Sequence, residues 1–355
     1  MSTDVKKCGR FVLTLLSARF VLALLSGLVW PLCLACAMAL GVSLFARSWW
    51  AADILANLRV QLILMASSVA LFSFAVHRYR HGVAALVLGF CHAWWCLSAV
   101  WDTSGGNSQS AIIERRQCLR VCTANVLSSN HRHQEIIDQI RDSDADIVAV
   151  LELTPELMER MKGELSDEYP ASVWQPQSDG NFGIGLLSRL PLTSPEVFDF
   201  ETPWLPSIQA QVEFEGRSVR VIATHPVPPM FRRGFQMRNS QLRMLANVIR
   251  KPVTESPADT ILVGDLNLTP WSPVFDDFCR DAGLKNASAG TGLTPTWYAR
   301  RAFPFGLMLD HGLCSEDLNG VRQAVLPEMG SDHRIVVFDF WWDKSRKIAK
   351  SEPEP

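Results

Sequence analysis

The hydrophobic and polar positions divide the chain into two parts. Residues 11–101 consist of long apolar runs with very few charges, whereas the chain after Gln109 has the balance of an ordinary globular domain. A membrane-spanning helix needs about 20 apolar residues. We therefore predict an N-terminal membrane anchor over residues 1–101 with about three transmembrane helices. The predicted spans are Leu22–Phe45, which follows a lead-in from Phe11, then Val60–Val76 and Gly82–Trp101.

The charges around these runs predict an orientation. The N-terminus is basic through Lys6, Lys7 and Arg10, and so is the His77–His81 connection. Because basic loops stay in the cytoplasm, three spans place everything after Trp101 outside it. We expect a multi-pass protein of the inner (cytoplasmic) membrane with an extracytoplasmic domain. The alternative is a hairpin of two spans in the first run, which gives four spans and a cytoplasmic domain but exports the basic loop.

From residue 117 onwards the pattern changes to short alternating strand-like and helix-like segments, the signature of an α/β domain. We predict a linker over 102–116, a domain over 117–342 and a disordered, charged tail over 343–355. The predicted helices are His133–Arg141 and Arg233–Arg250. The predicted strands are Cys118–Ala124, Ile147–Leu151, Gly183–Leu187, Ile208–Phe214, Val219–Thr224, Asp259–Gly264, Leu307–Asp310 and Ile335–Phe340.

Overall charge and cysteine content exclude some classes of protein. The net charge is −2, which gives no sign of a protein that coats nucleic acid. The four cysteines of the second part (Cys118, Cys122, Cys279 and Cys314) lack the C-x-x-C spacing of a zinc site, and they do not suggest a disulfide framework. We therefore expect them to be small buried side chains.

The stretch Ile261–Phe275 (ILVGDLNLTPWSPVF) carries the clearest chemical signal. Its apolar run predicts a buried strand that delivers Asp265 to the edge of a sheet. Asn267 follows two residues later, so the two side chains leave an extended segment on the same side. A carboxylate beside a carboxamide suits a divalent cation and a phosphate oxygen, although an Asp at a strand end also caps helices.

Further polar groups sit at the ends of other strand-like runs. Oxygen-rich side chains favour Mg²⁺ or Mn²⁺ over zinc. Two of the histidines, one of them paired with an Asp, supply acid–base partners for phosphoryl chemistry. The groups concerned are Asn125, Glu152, His225, Asp310 with His311, and Asp332 with His333.

These motifs together resemble the endonuclease/exonuclease/phosphatase superfamily, which includes DNase I, abasic-site endonucleases, neutral sphingomyelinases and inositol-polyphosphate 5-phosphatases. The resemblance covers about Gln117–Trp342. It rests on T-A-N-V, L-E-L-T, T-H-P, G-D-L-N, P-T-W, L-D-H and S-D-H-R in the order of the family. It implies a four-layer α/β/β/α sandwich of the DNase I type, with the catalytic site at one edge of the paired sheets.

The resemblance also implies roles for the residues that match. Glu152 would be the main metal ligand, with help from Asn125 and Asp332, and the cofactor would be Mg²⁺ or Mn²⁺. Asp265 would orient or deprotonate the attacking water. The remaining implied roles are a phosphate contact for Asn267, transition-state or proton-transfer chemistry for His333 oriented by Asp310, and a phosphate or leaving-group contact for His225.

Three further residues are candidate substrate contacts. Asn181 lies in the loop before a predicted strand. Arg238 belongs to an arginine-rich helix that could attract anions, although such helices are commonly solvated faces. Trp297, in the P-T-W turn, could form a wall of the substrate site, although a tryptophan there is more often a packing residue.

The layout of apolar spans followed by this domain is similar to the membrane phosphatases of this superfamily that are linked to teicoplanin resistance. That similarity implies hydrolysis of a lipid-linked pyrophosphate or phospholipid at the bilayer surface. A membrane-tethered nuclease on DNA or RNA is the first alternative, but the Pro-Val-Pro-Pro that follows His225 departs from nucleases at the rim of the site. A non-catalytic membrane scaffold is the second, and it is disfavoured because the motif residues are all present.

Overall fold

The computed structural model describes residues 26–100, 115–200, 202, 204–251, 259–299 and 306–342. The chain forms two compact units, Met1–Leu97 and Ser98–Pro355. The predicted linker 102–116 lies outside the described residues apart from its last two, and so does the whole of the predicted tail 343–355. The described helices of the first unit are α1 (Val29–Ser43), α2 (Trp50–Asn57), α3 (Arg59–Ala75) and α4 (Tyr79–Val100).

The helices of the first unit follow the apolar runs. Helix α3 coincides with the predicted span Val60–Val76, and α4 begins three residues before the predicted span Gly82–Trp101. In the part of the chain that is described, no single helix combines the length and the hydropathy of a membrane span. Helices α2 and α3 taken together have the length and the hydropathy of a span, but they are bent by 70° relative to each other.

The second unit contains two six-stranded mixed sheets within the described residues. The strands are β1 (Leu119–Asn125), β2 (Ile147–Leu151), β3 (Ala171–Gln175), β4 (Ile184–Ser188), β5 (Thr193–Phe198), β6 (Ser207–Phe214), β7 (Arg217–Thr224), β8 (Asp259–Asp265), β9 (Leu284–Asn286), β12 (Asp310–Ser315), β13 (Leu318–Val325) and β14 (Val336–Trp342). In the first sheet the strand order is β13-β14-β1-β2-β4-β3, and in the second it is β5-β6-β7-β8-β12-β9. A separate ribbon pairs β10 (Trp297–Tyr298) with β11 (Gly306–Leu307).

Alternation along the strands builds the layers. Alternate side chains of a strand point to opposite faces, and Val121 of β1 and Val263 of β8 both enter the core between the sheets. Their neighbours Cys122 and Leu262 enter the two outer cores. The outer cores are completed by helices α5 (His133–Asp142) and α6 (Pro155–Leu165) on the first sheet, and by α7 (Phe231–Arg250) and α8 (Pro273–Ala282) on the second. The layers are therefore α/β/β/α, the expected sandwich.

Two helices were missed by the sequence prediction, and both begin at a recognisable cap. The hydroxyl of Thr154 accepts a hydrogen bond from the amide of Leu157 at the start of α6. Ser272 does the same for Val274 at the start of α8. In both helices a proline occupies the first turn, where its missing N–H costs nothing. The cap signals were present, but short amphipathic segments between strands are easily read as loops.

One predicted strand was wrong in its bounds. Leu307–Asp310 was expected to be a strand ending in Asp310, whereas β12 begins at Asp310 and runs to Ser315. The reason is its direction: β12 is antiparallel to β8, with Asp310 paired to Asp265. A strand that runs away from the functional edge carries its polar residue at its start.

Gly264 is required by the junction of β7 and β8. Its φ is +152°, and a Cβ at this position would lie 1.9 Å from the carbonyl oxygen of Thr224. The residue immediately precedes Asp265, so the close approach of the two strand ends depends on it.

We predict that Gly264→Ala destabilises the second unit by about 3 kcal/mol or more, because both the backbone conformation and the contact with Thr224 must change. The matched control is Gly163→Ala in α6, where nothing lies within 4 Å of the added Cβ. That change should be neutral or stabilising by up to about 1 kcal/mol. Denaturant unfolding of both variants is the measurement, and equal stability of the two would contradict the requirement.

Candidate active site

The polar groups predicted from the sequence converge at one edge of the two sheets. Strands β1 and β2 are parallel, as are β7 and β8, so each pair delivers its carboxyl ends to a common edge. Asn125 and Asp265 continue the faces of β1 and β8 that point between the sheets. Their side chains meet there, with Asn125 Nδ2 3.3 Å from Asp265 Oδ2. The site is thus built across the interface between the sheets.

The carboxylate of Asp265 is the centre of this arrangement. Its Oδ2 lies 3.3 Å from His225 Nε2 and 3.5 Å from His333 Nε2. Its Oδ1 accepts a hydrogen bond from the amide of Asn267 at 2.9 Å. Asp265 is almost completely buried, with 2% of its surface exposed. The two histidines therefore approach one carboxylate oxygen from different strands.

Asp310 holds the other side of His333. The pairing of β8 with β12 places Asp310 directly opposite Asp265, and His333 Nδ1 lies 2.8 Å from Asp310 Oδ2. Burial alone would lower the pKa of His333, but the charges of Asp310 and Asp265 outweigh it and raise the pKa to about 10. His333 is therefore an imidazolium at neutral pH, held between two carboxylates.

The pKa values of His225 and Asp265 shift in the directions that this charge distribution requires. Burial would lower the pKa of His225, but its hydrogen bond to Asp265 and the charge of that carboxylate raise it. Burial would raise the pKa of Asp265, but the charges of His333 and His225 lower it. Asp265 is an ionised hydrogen-bond acceptor in this setting.

Glu152 lies beside this group at the end of β2. Its Oε1 accepts a hydrogen bond from Asn125 Nδ2 at 3.1 Å, and its Oε2 accepts one from the amide of Ser128 at 3.1 Å. The hydroxyl of Ser128 donates to Asn181 Oδ1 at 2.7 Å. The predicted metal residues Asn125 and Glu152 are therefore together, and the exposed Asn181 lies at their margin.

Two of the site residues have unusual backbone conformations. Glu152 has a φ of +60° and Asn267 a φ of +50°. For a residue with a side chain this conformation costs about 1–3 kcal/mol, and it persists only where the surroundings impose it. The packing of Leu153 in the core beneath α6 holds the chain directly after Glu152.

Arg238 does not face the solvent as an anion-attracting residue would. It is completely buried, and its Nη1 donates to the carbonyl oxygen of Asn267 at 3.2 Å. Asn267 in turn donates from Nδ2 to the carbonyl oxygen of Pro226 at 2.9 Å. The prediction of a direct substrate contact for Arg238 is corrected accordingly: the residue positions the segment that carries Asn267.

Trp297 also acts on a neighbouring site residue. Its indole N–H donates to Asp332 Oδ2 at 2.8 Å, and its backbone forms an isolated antiparallel bridge with His333. The half-buried Asp332 is therefore oriented by the P-T-W turn. The remaining surface of Trp297 is partly exposed, so a contact with substrate stays a prediction.

Sequence reasoning missed several residues that organise the site. The hydroxyl of Ser331 donates to the carbonyl oxygen of Asn125 and accepts from the amide of His333, which joins the two strands carrying them. The hydroxyl of Thr296 accepts from the amide of Asp310. The ring of Phe182 lies 5.2 Å from that of His225. Ser331 and Thr296 lie within the S-D-H-R and P-T-W motifs, and Phe182 directly follows Asn181, but only the fold shows what they touch.

The donor set fits a hard divalent cation. In their charged forms the carboxylates of Glu152, Asp265, Asp310 and Asp332 exceed the two imidazoliums by two negative charges. Buried Asp310 Oδ1 has no hydrogen-bond partner among the described residues. Asp265, Asp310 and His333 offer one possible ligand atom each within 4.8 Å of one another. That Glu152, Asn125 and Asp332 hold the cation stays a prediction.

The family comparison agrees with this geometry. The model of the Endonuclease/Exonuclease/phosphatase family matches residues 122–333, which is more than half of the chain and contains every candidate site residue. No curated protein sequence matches the chain significantly.

Solved structures share the fold of the second unit. A humanized TDP2 from D. rerio is 20% identical with a TM-score of 0.52, covering 63% of this chain and 98% of its own. An endonuclease/exonuclease/phosphatase from Beutenbergia cavernae is 20% identical with a TM-score of 0.52, covering 64% and 72%. The human Nocturnin catalytic domain with bound sulfate is 20% identical with a TM-score of 0.52, covering 65% and 95%. At these identities the likeness concerns the fold alone.

We predict that His333 contributes a pH-dependent stabilisation. Because its pKa rises from 6.5 to about 10 on folding, the contribution is complete below pH 6.5 and is lost as the pH rises through 10. In metal-free buffer, His333→Gln should therefore reduce the free energy of unfolding more at pH 6.5 than at pH 10.5. The exposed His77→Gln is the control and should show no such dependence. A penalty for His333→Gln that is constant with pH would contradict the charged pair.

Proposed function

Since this chain belongs to the Endonuclease/Exonuclease/phosphatase family, we propose that it is a membrane-anchored hydrolase that uses Mg²⁺ or Mn²⁺ to cleave a lipid-linked phosphate ester or pyrophosphate. Membership of the family makes it a metal-dependent hydrolase of phosphate bonds. The finer parts of the proposal are the lipid substrate, the membrane anchor and the identity of the ion.

The catalytic roles follow from the charges in the site. A divalent cation supplies charge neutralisation at the phosphate. Asp265, kept ionised, accepts a hydrogen bond from the attacking water and orients it towards phosphorus. His333, kept protonated by Asp310, presents its charge to the oxygens of the transition state. His225, which also contacts Asp265 Oδ2, donates to a phosphate or leaving-group oxygen.

The observation that supports the lipid substrate is a set of apolar side chains around the His225 segment. We define the rim as Phe182 and Trp204, which lead to His225 through ring contacts, with Met230 and Phe231, which follow His225 by five and six residues in the chain. The rings of Phe182 and Trp204 are in edge contact at 5.4 Å, and Phe182 also contacts His225. Met230 and Phe231 follow the His225 segment and are 59% and 68% exposed. Exposed apolar side chains of this size beside a polar site mark a binding surface for an apolar group.

The charges next to the rim support an amphiphilic phosphate as the substrate. Arg232 and Arg233 come directly after Phe231 and are exposed at the start of α7. The combination of aromatic side chains with arginines suits a ligand that has an anionic head and a hydrocarbon tail. A nuclease on this scaffold would need a broad basic groove instead, which a net charge of −2 does not favour.

The first unit supports the membrane anchor. Its surface carries large apolar side chains that are more than half exposed, among them Trp30, Phe45, Leu71, Phe90 and Trp94. Polar residues such as Ser43, Ser73 and His92 lie inside it. A soluble unit has the opposite arrangement, whereas contact with lipid tails accounts for this one. We propose that the catalytic unit faces the extracytoplasmic side, as the basic loops predict.

We predict that the full-length protein releases phosphate from a polyprenyl pyrophosphate in the presence of Mg²⁺ or Mn²⁺ and that EDTA abolishes this activity. Asp265→Asn and His333→Ala should each lower kcat by about 10²–10⁴-fold, because each removes a group that acts on the reacting atoms. Asp142→Asn, an exposed carboxylate at the far end of α5, is the control and should retain full activity. Plasmid DNA is offered in parallel. Suppose that DNA is nicked with the same dependence on the metal, Asp265 and His333, and that no phosphate is released from the lipid. The substrate would then be nucleic acid and the lipid proposal would be wrong.

A second prediction tests whether the rim binds the lipid part of the substrate. Met230→Ser with Phe231→Ser should raise KM for the polyprenyl substrate by roughly tenfold or more, since each lost apolar contact is worth about 1.5–3 kcal/mol when fully buried. KM for a small soluble phosphodiester should stay unchanged. Val197→Ser, also exposed but on the edge strand β5, serves as the control. An equal rise in KM for both substrates would show that the rim does not bind the lipid part of the substrate.

A further inference from the structure

A second group of metal-ligating side chains lies outside the catalytic site. It consists of His131, His133 and Glu156, at the starts of α5 and α6, and one ligand atom from each lies within 4.8 Å of the other two. His133 Nδ1 is 3.9 Å from Glu156 Oε1, and the rings of His131 and His133 are 6.3 Å apart. None of the three belongs to the phosphoryl-transfer centre.

The interactions that these side chains make with one another are weak. At 3.9 Å the contact between His133 and Glu156 is too long for a hydrogen bond. Glu156 is 78% exposed, and an ion pair with so exposed a partner contributes little to stability. The two imidazole rings are tilted by 49° and do not stack. Their mutual contacts therefore do not explain why the three groups converge.

The chemistry of the three ligands differs from that of the catalytic centre. Two imidazoles and one carboxylate form a ligand set that suits zinc-like cations and leaves a fourth position for water. The catalytic centre offers mainly carboxylate oxygens, which suit harder cations. The two sites would therefore select different metals from the same solution.

The geometry needs only a small adjustment to close around an ion. Bonds of about 2.0–2.1 Å in a tetrahedral site place neighbouring ligand atoms about 3.4 Å apart. His133 is buried and fixed by the start of α5, whereas His131 and Glu156 are exposed. These two exposed side chains are the ones that would rotate to shorten the distances.

The surrounding charges permit a cation at this place. The N-terminal ends of α5 and α6 carry partial positive charge, which opposes it. The carboxylate of Glu156 offsets this. The nearest arginine in the chain, Arg132, is already engaged by Glu135 and Glu328.

A cation here would connect the two segments that leave the catalytic edge of the first sheet. His131 lies six residues after Asn125, and Glu156 lies four residues after Glu152. Both Asn125 and Glu152 are predicted ligands of the catalytic cation. Tying their following segments together would restrict the opening of that edge.

We propose that His131, His133 and Glu156 form a second metal site, which binds a zinc-like transition-metal cation and clamps the starts of α5 and α6. The site is separate from the catalytic cation, and it does not depend on the nature of the substrate. Its occupancy is expected to raise the thermal stability of the second unit.

The test uses the full-length protein, stripped of metal and then kept in excess Mg²⁺ so that the catalytic centre is saturated. Zinc bound per chain is measured by equilibrium dialysis, and Co²⁺ is used in parallel because tetrahedral Co²⁺ absorbs visible light strongly. Wild type should bind one zinc equivalent and show a rise in unfolding temperature. His131→Ala and Glu156→Gln should weaken binding at least tenfold and abolish that rise.

The controls are His77→Ala, an exposed histidine of the first unit, and Glu159→Gln, an exposed carboxylate one turn further along α6. Both should bind zinc as wild type does. All variants should unfold at the same temperature without zinc, which separates loss of the site from loss of the fold. Undiminished zinc binding by His131→Ala and Glu156→Gln would overturn the proposal. So would zinc binding that only Glu152→Gln removes, because zinc would then occupy the catalytic centre.

Discussion

The catalytic edge depends on two carboxylates that the sheet forces to face each other. Asp265 and Asp310 are cross-strand partners on adjacent antiparallel strands, an arrangement that destabilises a sheet when both are charged and alone. His333 stands between them and is held as a cation by both. The repulsion of the acids and the charge of the histidine therefore explain each other: removing His333 leaves two facing buried carboxylates without the cation between them.

Around this triad the structure holds its parts by backbone geometry as much as by side chains. The left-handed conformations at Glu152 and Asn267 and the close approach at Gly264 all occur directly at strand ends. Arg238 and Trp297 then fix Asn267 and Asp332 from beneath and beside. Such support keeps the polar groups in place despite their mutual repulsion, and this is what a site needs if it is to stabilise charge without reorganising.

Much of the fold and most of the site could be predicted from the sequence, because both depend on local patterns. Apolar runs ending in Asn125, Glu152, His225 and Asp265 predicted strand ends that carry polar groups, and the family resemblance of the motifs implied the sandwich. The sequence could not predict the direction of β12 or the burial of Arg238, since both depend on partners distant in the chain. An arginine on a helix reads as a surface charge until the loop that covers it is known.

The two sheets contribute equally to the centre: Asn125, Glu152, Asp332 and His333 come from the first, and His225, Asp265, Asn267 and Asp310 from the second. Neither half has both a metal-binding set and a water-orienting carboxylate with its cationic neighbour. Hydrolytic competence therefore requires that the inner apolar faces of the two sheets have packed against each other. A chain in which only one of the two sheets has formed therefore lacks part of the centre.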